Sequence, residues 1–214
     1  MDVPKIIWQT HNYEFDDLPV HLKKVTQNWK NLNPGWDYRY VSYNQRLESI
    51  RPYDDLFKHY LKQDPVRQSD IWRYLVTYDH GGVYADMDSV CIKPLDYMLS
   101  SINDCELLLV PANSHIGSTI NNSNFAIKPS SQIMKNVIDH GQYHIRYNQP
   151  EHIPDTWYWF VDEVAKANNV SYDFTSSWHT MEFKTEFDPD FFVDDYGTKI
   201  KYLDFINKYN LKYF

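Results

Sequence analysis

The sequence predicts an α/β protein with a central, mostly parallel sheet that is flanked by helices. Short apolar runs alternate along the chain with longer segments whose apolar residues recur at helical spacing. Neither an internal repeat nor a low-complexity linker interrupts this alternation. A length of 214 residues fits one domain with a sizeable core, so we expect a single unit over 1–214.

Three apolar runs in the first half of the chain predict strands, at 4–10, 38–42 and 83–85. Helical spacing predicts two helices between them, over 18–30 and, with a break at the proline, over 47–62. Asp64 is a typical helix cap and Pro65 a typical first helical residue. They predict a third helix that ends at Gly81, because glycine suits the left-handed position after a helix.

The second half is predicted to continue the alternation. Apolar runs predict three further strands, at 90–92, 107–110 and 125–127. Helical periodicity predicts three further helices, at 133–139, 157–167 and 198–209.

Composition limits the classes of function. A net charge of −8 argues against a nucleic-acid binder, because such proteins usually carry a basic footprint. The same charge means that an anionic ligand would need a local cation. Two cysteines do not make a disulfide framework, which favours a reducing compartment.

The sequence also predicts where the protein works. No apolar run reaches the length of a transmembrane segment, and residues 1–8 lack the apolar core of a signal peptide. We therefore expect a cytoplasmic protein, in the host cytoplasm if the source is viral. Lysines beside aromatic residues in the tail leave open a peripheral contact with a membrane surface. A solvated terminal helix is the alternative.

Two carboxylates one residue apart, Asp86 and Asp88, follow the predicted strand at 83–85. The spacing alone is weak, since Asp188 and Asp190 repeat it around a proline, where a surface turn is predicted. Oxygen ligands suit Mg²⁺ or Mn²⁺, and such ions commonly take further ligands from phosphates. The first pair therefore predicts a metal site for a diphosphate. Solvated residues at a strand end are the structural alternative.

Three polar residues share the helix before this strand: Asp70, Arg73 and Tyr74. Their spacing lets them point together toward the strand end. Arginine offers a fixed fork of donors and aspartate only accepts, a combination suited to sugar hydroxyls. An exposed ion pair and a core tyrosine are the structural alternatives. Gly82 either belongs to a helix stop or lets a donor approach the strand closely.

Four segments occur in an order typical of one enzyme family: Pro4-Lys5-Ile6-Ile7-Trp8-Gln9-Thr10, Trp29 with Asn33-Pro34-Gly35, Ser69-Asp70-x-x-Arg73-Tyr74, and Gly81-Gly82-x-Tyr84-x-Asp86-x-Asp88. Each is weak alone, and together they are specific. Between about residues 4 and 129 the chain resembles the sugar-transferring region of glycosyltransferase family 32. Members of that family include yeast Golgi mannosyltransferases and bacterial capsular-polysaccharide enzymes.

The resemblance implies a GT-A fold, with a donor- and metal-binding half at 1–130 and an acceptor-side half at 131–214. It implies transfer of a hexose, with retention, from a nucleotide-diphosphate sugar to a glycan, lipid or protein acceptor. UDP is favoured over GDP as the nucleotide, and Mn²⁺ or Mg²⁺ is the implied cofactor.

The resemblance also implies roles for particular residues. The implied metal ligands are Asp88 directly, Asp86 through water, and His179. The residues implied to lie at the reacting sugar are Asp70, Arg73, Asp86, Asn122 and Asn124. The residues implied to line the donor site are Trp8, Gln9, Tyr74, Gly82, Tyr84, Ser176 and Trp178.

The second half departs from the family pattern. Family members often carry Thr-Gly-Pro before a late helix, whereas here Thr156 is followed by Trp157 and Tyr158. The acceptor side and the third metal ligand therefore stay open.

Two other classes of function are kept. One is a non-catalytic sugar-binding module that uses the abundant aromatic residues, which make up 17% of the chain.

The other class is a phosphatase of the haloacid-dehalogenase type. In that enzyme Asp86 would be the nucleophile and Asp88 the general acid. The corresponding motif belongs on the first strand of such a fold, and the predicted first strand here has no carboxylate.

Overall fold

The computed structural model describes residues 2–91, 93–100, 105–109, 120–149, 152–168, 170–172, 178–180, 191–193 and 199–201. The described strands are β1 (Ile6–Thr10), β2 (Asp37–Val41), β3 (Gly82–Ala85), β4 (Ser89–Cys91), β5 (Leu107–Leu109), β6 (Asn124–Ile127), β7 (Val170–Tyr172), β8 (Trp178–Thr180), β9 (Phe191–Val193) and β10 (Lys199–Lys201). The described helices are α1 (Val20–Leu32), α2 (Tyr43–Ile50), α3 (Asp54–Tyr60), α4 (Pro65–His80), α5 (Leu95–Ser100), α6 (Gln132–Tyr147) and α7 (Thr156–Lys166). None of these helices is long and apolar enough to cross a membrane.

Six of the strands form one sheet in the order β2-β1-β3-β6-β5-β7. Strand β1 runs parallel to both β2 and β3, and β5 runs parallel to β7. Strand β6 is antiparallel to its neighbours β3 and β5, so the sheet is mixed but mostly parallel, as predicted. Because β6 is reversed, its first residue, Asn124, lies opposite the last residue of β3, Ala85. Together with Thr10 and Val41 these residues form what we call the carboxyl edge of the sheet.

Helices cover both faces of this sheet. Residues alternate in strand β3, so that Val83 and Ala85 join one hydrophobic cluster and Tyr84 joins the other. The first cluster includes Trp29 of α1. The second is larger and includes side chains of α4, α6 and α7, among them Trp72, Val137 and Phe160. The predicted sandwich of helices around a sheet is therefore confirmed.

Helix α4 begins and ends as the sequence predicts. The Asp64 side chain accepts the backbone N–H groups of Val66 at 2.9 Å and Arg67 at 3.1 Å, and Pro65 is the first helical residue. Gly81 follows the last residue with φ +63°, in the left-handed region. These local signals fix the point at which β3 starts.

Helix α2 begins earlier than the predicted start of 47. The Gln45 side chain accepts the backbone N–H of Ser42 at 2.9 Å, so a cap forms at the end of β2. Helix α6 extends past the predicted end of 139 to Tyr147, because Gly141 and Ile145 continue its packed face. Helix α5 was not predicted.

The predicted helix over 198–209 is wrong at Lys199–Lys201. These residues form β10, which pairs antiparallel with β9. The partner strand reads Phe-Phe-Val, all strong strand formers, and this ladder overrides a helical periodicity that was weak over so short a segment. The rest of that prediction, and the predicted turn at Asp188 and Asp190, lie outside the described residues.

Helix α6 approaches α7 closely at Gly141. A Cβ at this position would overlap the Trp159 ring, with Cδ2 at 2.9 Å. We expect Gly141→Ala to lower the free energy of unfolding by about 1–3 kcal/mol through overpacking, partly offset by alanine's better helix propensity. Urea denaturation measures this. Gly35→Ala is the matched control, since no atom lies within 4 Å of its Cβ position. Equal effects of the two substitutions would contradict the packing argument.

Candidate active site

The two aspartates of the Asp-x-Asp pair lie in a turn at the carboxyl edge, directly after β3. The Asp86 backbone N–H donates to the Ser123 carbonyl at 2.9 Å, and the Ser89 N–H donates to the Asp86 carbonyl at 3.0 Å. The turn is thus fixed both to itself and to the segment that leads into β6. Asp86 and Asp88 are both partly exposed. The predicted position at a strand end is confirmed.

The Asp86 carboxylate is held from two sides. Its Oδ1 lies 3.1 Å from Nη2 of Arg73 and accepts a hydrogen bond of 2.6 Å from the Tyr84 hydroxyl. The Arg73 guanidinium also stacks on the Tyr84 ring, with 4.4 Å between its central carbon and the ring centroid. Asp86 therefore has a fixed orientation before any ligand binds.

The backbone of Asp86 is held by strand β1. The Gln9 side-chain amide donates to the Asp86 carbonyl at 3.0 Å, and the Tyr38 hydroxyl donates to Oε1 of Gln9 at 2.7 Å. The parallel strands β2 and β1 thus each contribute one residue to a chain of contacts that ends at the turn directly after β3. Tyr38 was not among the predicted site residues.

Asp70 and Arg73 are buried, and this excludes the alternative of an exposed ion pair. Their side chains are 6% and 5% exposed, and Nη2 of Arg73 lies 3.2 Å from Oδ1 of Asp70. Oδ1 also accepts a bond from the Asn122 amide at 3.0 Å, and Oδ2 accepts one from the Thr156 hydroxyl at 2.6 Å. Arg73 in turn donates to the Asn122 carbonyl at 2.7 Å. Asp70, Arg73 and Asn122 are therefore brought together as predicted.

Tyr74 contacts the network of Asp70, Arg73 and Asn122 from the hydrophobic core. Its ring is buried and stacks on Phe160 with 5.6 Å between centroids, as a core residue would. Its hydroxyl lies 2.6 Å from the Asn122 amide nitrogen and donates to the Thr156 carbonyl at 3.2 Å. The core alternative for Tyr74 thus holds for the ring, while the hydroxyl supports Asn122.

Thr156 is a site residue that the sequence reasoning missed. It is the first residue of α7, where the side chain of Asp155 accepts the backbone N–H of Trp157. The hydroxyl of Thr156 reaches Asp70 across 86 positions of sequence. The available signal was a threonine directly after a helix cap, which by itself points to no site.

Burial and charge act against each other in the network. Burial would lower the pKa of Arg73, but Asp86, Tyr84 and Asp70 outweigh it, so the pKa is raised and the guanidinium stays charged. Burial raises the pKa of Asp70 above its usual value, opposed by Arg73 and by the bond from Thr156. One guanidinium faces two carboxylates, those of Asp70 and Asp86, so these three side chains together carry one excess negative charge.

That excess charge fits a divalent cation. Among the described residues, no group of three His, Cys, Asp or Glu side chains is arranged as a metal site. Two carboxylates on an exposed turn are the donor set of a Mg²⁺ or Mn²⁺ ion that takes other oxygens from phosphates and water. Asp86 and Asp88 are thus the residues that would hold the ion.

The other predicted site residues fall into two groups. Trp8 and Tyr84 are buried, and Trp8 Nε1 donates to the Gly81 carbonyl at 2.9 Å, so Trp8 joins β1 to the start of β3. Asn124 is buried at the start of β6, and its amide donates to the Ser123 hydroxyl at 3.1 Å. The second group, Ser176, Trp178 and His179, lies near the end of the chain.

Strand β8 pairs antiparallel with β4, so that the backbone of His179 lies opposite Val90, two residues after Asp88. Trp178 lies opposite Cys91 in the same ladder. Ser176 lies outside the described residues. The ladder brings this part of the chain beside the turn, and the roles of the three residues remain predictions.

Comparison with known proteins gives the class. Residues 19–106 match the family described as "Glycosyltransferase sugar-binding region containing DXD motif". The chain is 34% identical over 104 residues to mannosyl phosphorylinositol ceramide synthase SUR1 of Saccharomyces cerevisiae, covering 46% of this chain and 26% of the relative. It is 34% identical over 107 residues to the initiation-specific alpha-1,6-mannosyltransferase of Candida albicans, covering 46% of this chain and 27% of the relative.

Among solved structures, the PaToxG glycosyltransferase superposes with a TM-score of 0.51 and 14% identity, over 77% of this chain and 68% of that one. The fold is of the GT-A type. Residues 19–106 therefore resemble the DXD-containing sugar-binding region of glycosyltransferases. The matched part spans about a quarter of the two curated relatives.

Proposed function

We propose that this chain is a metal-dependent glycosyltransferase that moves a hexose, with retention, from a nucleotide-diphosphate sugar to a glycan, lipid or protein acceptor. The observation that carries the proposal is the orientation of Asp86 at the carboxyl edge. Residues from the parallel strands β1 and β3 and from helix α4 hold it beside Asp88, at the edge of an open α/β sheet where ligands typically bind.

The chemistry matches the charges of the turn. Breaking a sugar–phosphate bond leaves a diphosphate, and a bound Mg²⁺ or Mn²⁺ would supply Lewis-acid stabilisation of its growing charge. Asp88 would bind that ion directly, and Asp86 would bind it through water. Because Arg73 and Tyr84 already fix Asp86, little side-chain entropy remains to be lost on binding.

Asp70, Arg73 and Asn122 would form the floor beneath the transferred sugar. They are buried, and they are bonded to one another and to Thr156. Residues that are locked in this way keep a fixed geometry during the reaction, which preorganisation requires. On the basis of the family pattern, His179 is proposed as a metal ligand. Trp178 and Ser176 are proposed as donor-site residues, and Asn124 as a residue at the reacting sugar.

The donor and acceptor are proposed only by class. The sequence favours UDP over GDP, while two similar proteins are named for mannose transfer, so sugars of both nucleotides belong in a screen. One of those names concerns an inositol ceramide, which makes a lipid acceptor part of the proposal. Peripheral membrane contact and a cytoplasmic location remain proposals as well.

The test is release of free nucleotide from UDP- and GDP-sugars, with and without Mn²⁺, by the wild type and by Asp88→Asn. A metal-bound diphosphate is worth several kcal/mol in the transition state, so we expect Asp88→Asn to lose activity by about 100-fold or more. Asp162→Asn, an exposed aspartate on α7, is the matched control and should keep the wild-type rate.

The remaining outcomes separate the other classes. Binding of the nucleotide sugar without its hydrolysis, whichever metal ion is added, would favour a non-catalytic sugar-binding module. Hydrolysis of phosphate monoesters, lost in Asp86→Asn and absent with sugar donors, would favour the phosphatase. Wild-type rates in Asp88→Asn would overturn the proposed metal site.

A further inference from the structure

A second arginine lies near the carboxyl edge, and no carboxylate of the described residues pairs with it. Arg46 lies on α2 and is fully buried. Its guanidinium donates to the Ser69 hydroxyl and to the side-chain oxygen of Asn12, both of which are neutral. Its Nε is buried without a hydrogen-bond partner. Within the described part of the chain, Arg46 forms no ion pair.

Such an arrangement is unfavourable in the free protein. A buried charge costs several kcal/mol unless an opposite charge or a full set of hydrogen bonds compensates it. Glu14, an acidic residue of the loop after β1, is bonded instead to Ser42 and Asn44, each at 3.0 Å. Burial lowers the pKa of Arg46. In a protein of net charge −8, the described residues thus supply no counter-ion to this buried cation.

The position of Arg46 connects it to the candidate active site. Ser69, its hydroxyl partner, precedes Asp70 on α4, and the Ser69 carbonyl accepts a long bond of 3.4 Å from Nε of Arg73. Arg46 and Arg73 are close enough for the charge of one to lower the pKa of the other. Two guanidinium groups therefore flank the same part of α4, and only Arg73 is neutralised by carboxylates.

Asn12 is the hydrogen-bond partner of Arg46 that lies at the surface. It lies two residues after β1 and is exposed, whereas Arg46 behind it is not. Displacing one exposed asparagine side chain would open the guanidinium toward the carboxyl edge.

We propose that Arg46 binds the diphosphate of the nucleotide-sugar donor, and that Asn12 occupies the phosphate's position in the free protein. The inference rests on the proposed function, because it assigns a ligand to the same site. When a phosphate oxygen replaces the neutral amide oxygen, the hydrogen bond becomes charge-assisted on both sides. Such bonds are roughly twice as strong as bonds between neutral groups. It also supplies the counter-ion that the described residues do not provide.

The decisive variant is Asn12→Asp, which places a carboxylate where the phosphate is proposed to bind. We expect the ligand-free protein to melt at a higher temperature, because Arg46 gains a partner. We expect its dissociation constants for UDP or GDP and for inorganic pyrophosphate, measured calorimetrically with Mn²⁺, to rise by about 10- to 100-fold. Asn136→Asp, on an exposed position of α6, is the matched control for added charge.

Arg46→Met provides an independent test. Removing a buried cation without a counter-ion should leave the melting temperature unchanged or raise it, while diphosphate affinity falls. Arg51→Met, an exposed arginine that follows the same helix, should alter neither. A purely structural Arg46 would give the opposite pattern in Arg46→Met, a lower melting temperature with wild-type diphosphate affinity, and that result would overturn the inference.

The two proposals fail separately. If the wild type binds a nucleoside diphosphate and Asn12→Asp binds it equally well, the role of Arg46 is wrong and the proposed function stands. If the wild type binds pyrophosphate through Arg46 but no nucleotide, the anion site stands and the nucleotide donor is wrong. If it binds neither, both proposals are overturned.

Discussion

Replacing Arg73 with methionine is expected to cost about 3–5 kcal/mol of unfolding free energy at neutral pH. The guanidinium lies 3.2 Å from Asp70 and 3.1 Å from Asp86, and Asp70 is almost completely buried. Methionine fills much of the space but leaves both carboxylates without a cation. Guanidinium chloride denaturation of the wild type and the variant measures the difference.

The loss of unfolding free energy in Arg73→Met should depend on pH, and the contacts of Asp70 determine the direction of that dependence. Without Arg73, burial of Asp70 is no longer opposed by a cation, so its folded pKa rises further above the unfolded value of about 4. A carboxyl group with a raised folded pKa contributes stability that is lost as pH rises through that pKa. The deficit of Arg73→Met is therefore largest at neutral pH and smaller near pH 4.

Two comparisons make this prediction specific. Arg51→Met breaks an exposed pair with Glu48 and should cost less than about 1 kcal/mol. Asp70→Asn/Arg73→Met removes the buried carboxylate as well and should recover part of the stability. A deficit that is the same at every pH, with no recovery in the double variant, would show that Arg73 acts through packing alone.

Gly82→Ala is expected to lower the free energy of unfolding by about 2–5 kcal/mol. Gly82 has φ +106°, which alanine adopts only with strain. Its Cβ would also lie 2.7 Å from the backbone oxygen of Ile6 and 3.2 Å from Nε1 of Trp8. The backbone oxygen cannot move without separating β1 from β3.

The same substitution should reduce nucleotide release from the donor, because Gln9 of β1 holds the Asp86 carbonyl at 3.0 Å. Gly35→Ala, where a Cβ meets no atom within 4 Å, should leave both stability and activity nearly unchanged. A folded Gly82→Ala with wild-type stability would refute the close approach of the two strands.

The sequence predicted those parts of the site that depend on local signals. A buried run followed by two aspartates located the turn at Asp86 and Asp88, and the cap at Asp64 located α4 and so Asp70 and Arg73. These features are decided within a few residues by hydrophobicity, capping and glycine conformation. Local chemistry was therefore sufficient for them.

Other parts depend on contacts between distant segments. The hydrogen bond between Thr156 and Asp70 joins residues that are 86 positions apart, and no local pattern around Thr156 predicts this contact. Three apolar residues at 125–127 predict a strand but not its direction, which follows from pairing with β3 and β5. Arg46 sits in a polar stretch of a short helix, and no local pattern predicts its bond to Asn12 in the loop after β1.

The order of strands in the sheet has a consequence for how the protein can be divided. Strand β3, which leads into the Asp-x-Asp turn, has β1 and β6 as its two neighbours. Both lie outside residues 19–106, the segment that matches the glycosyltransferase family. A fragment cut at those limits would expose both sides of a buried strand and lose Gln9, Asn122 and Thr156. The segment that evolution has kept recognisable is thus not an autonomous folding unit, and expression boundaries must include at least β1 and the start of α7.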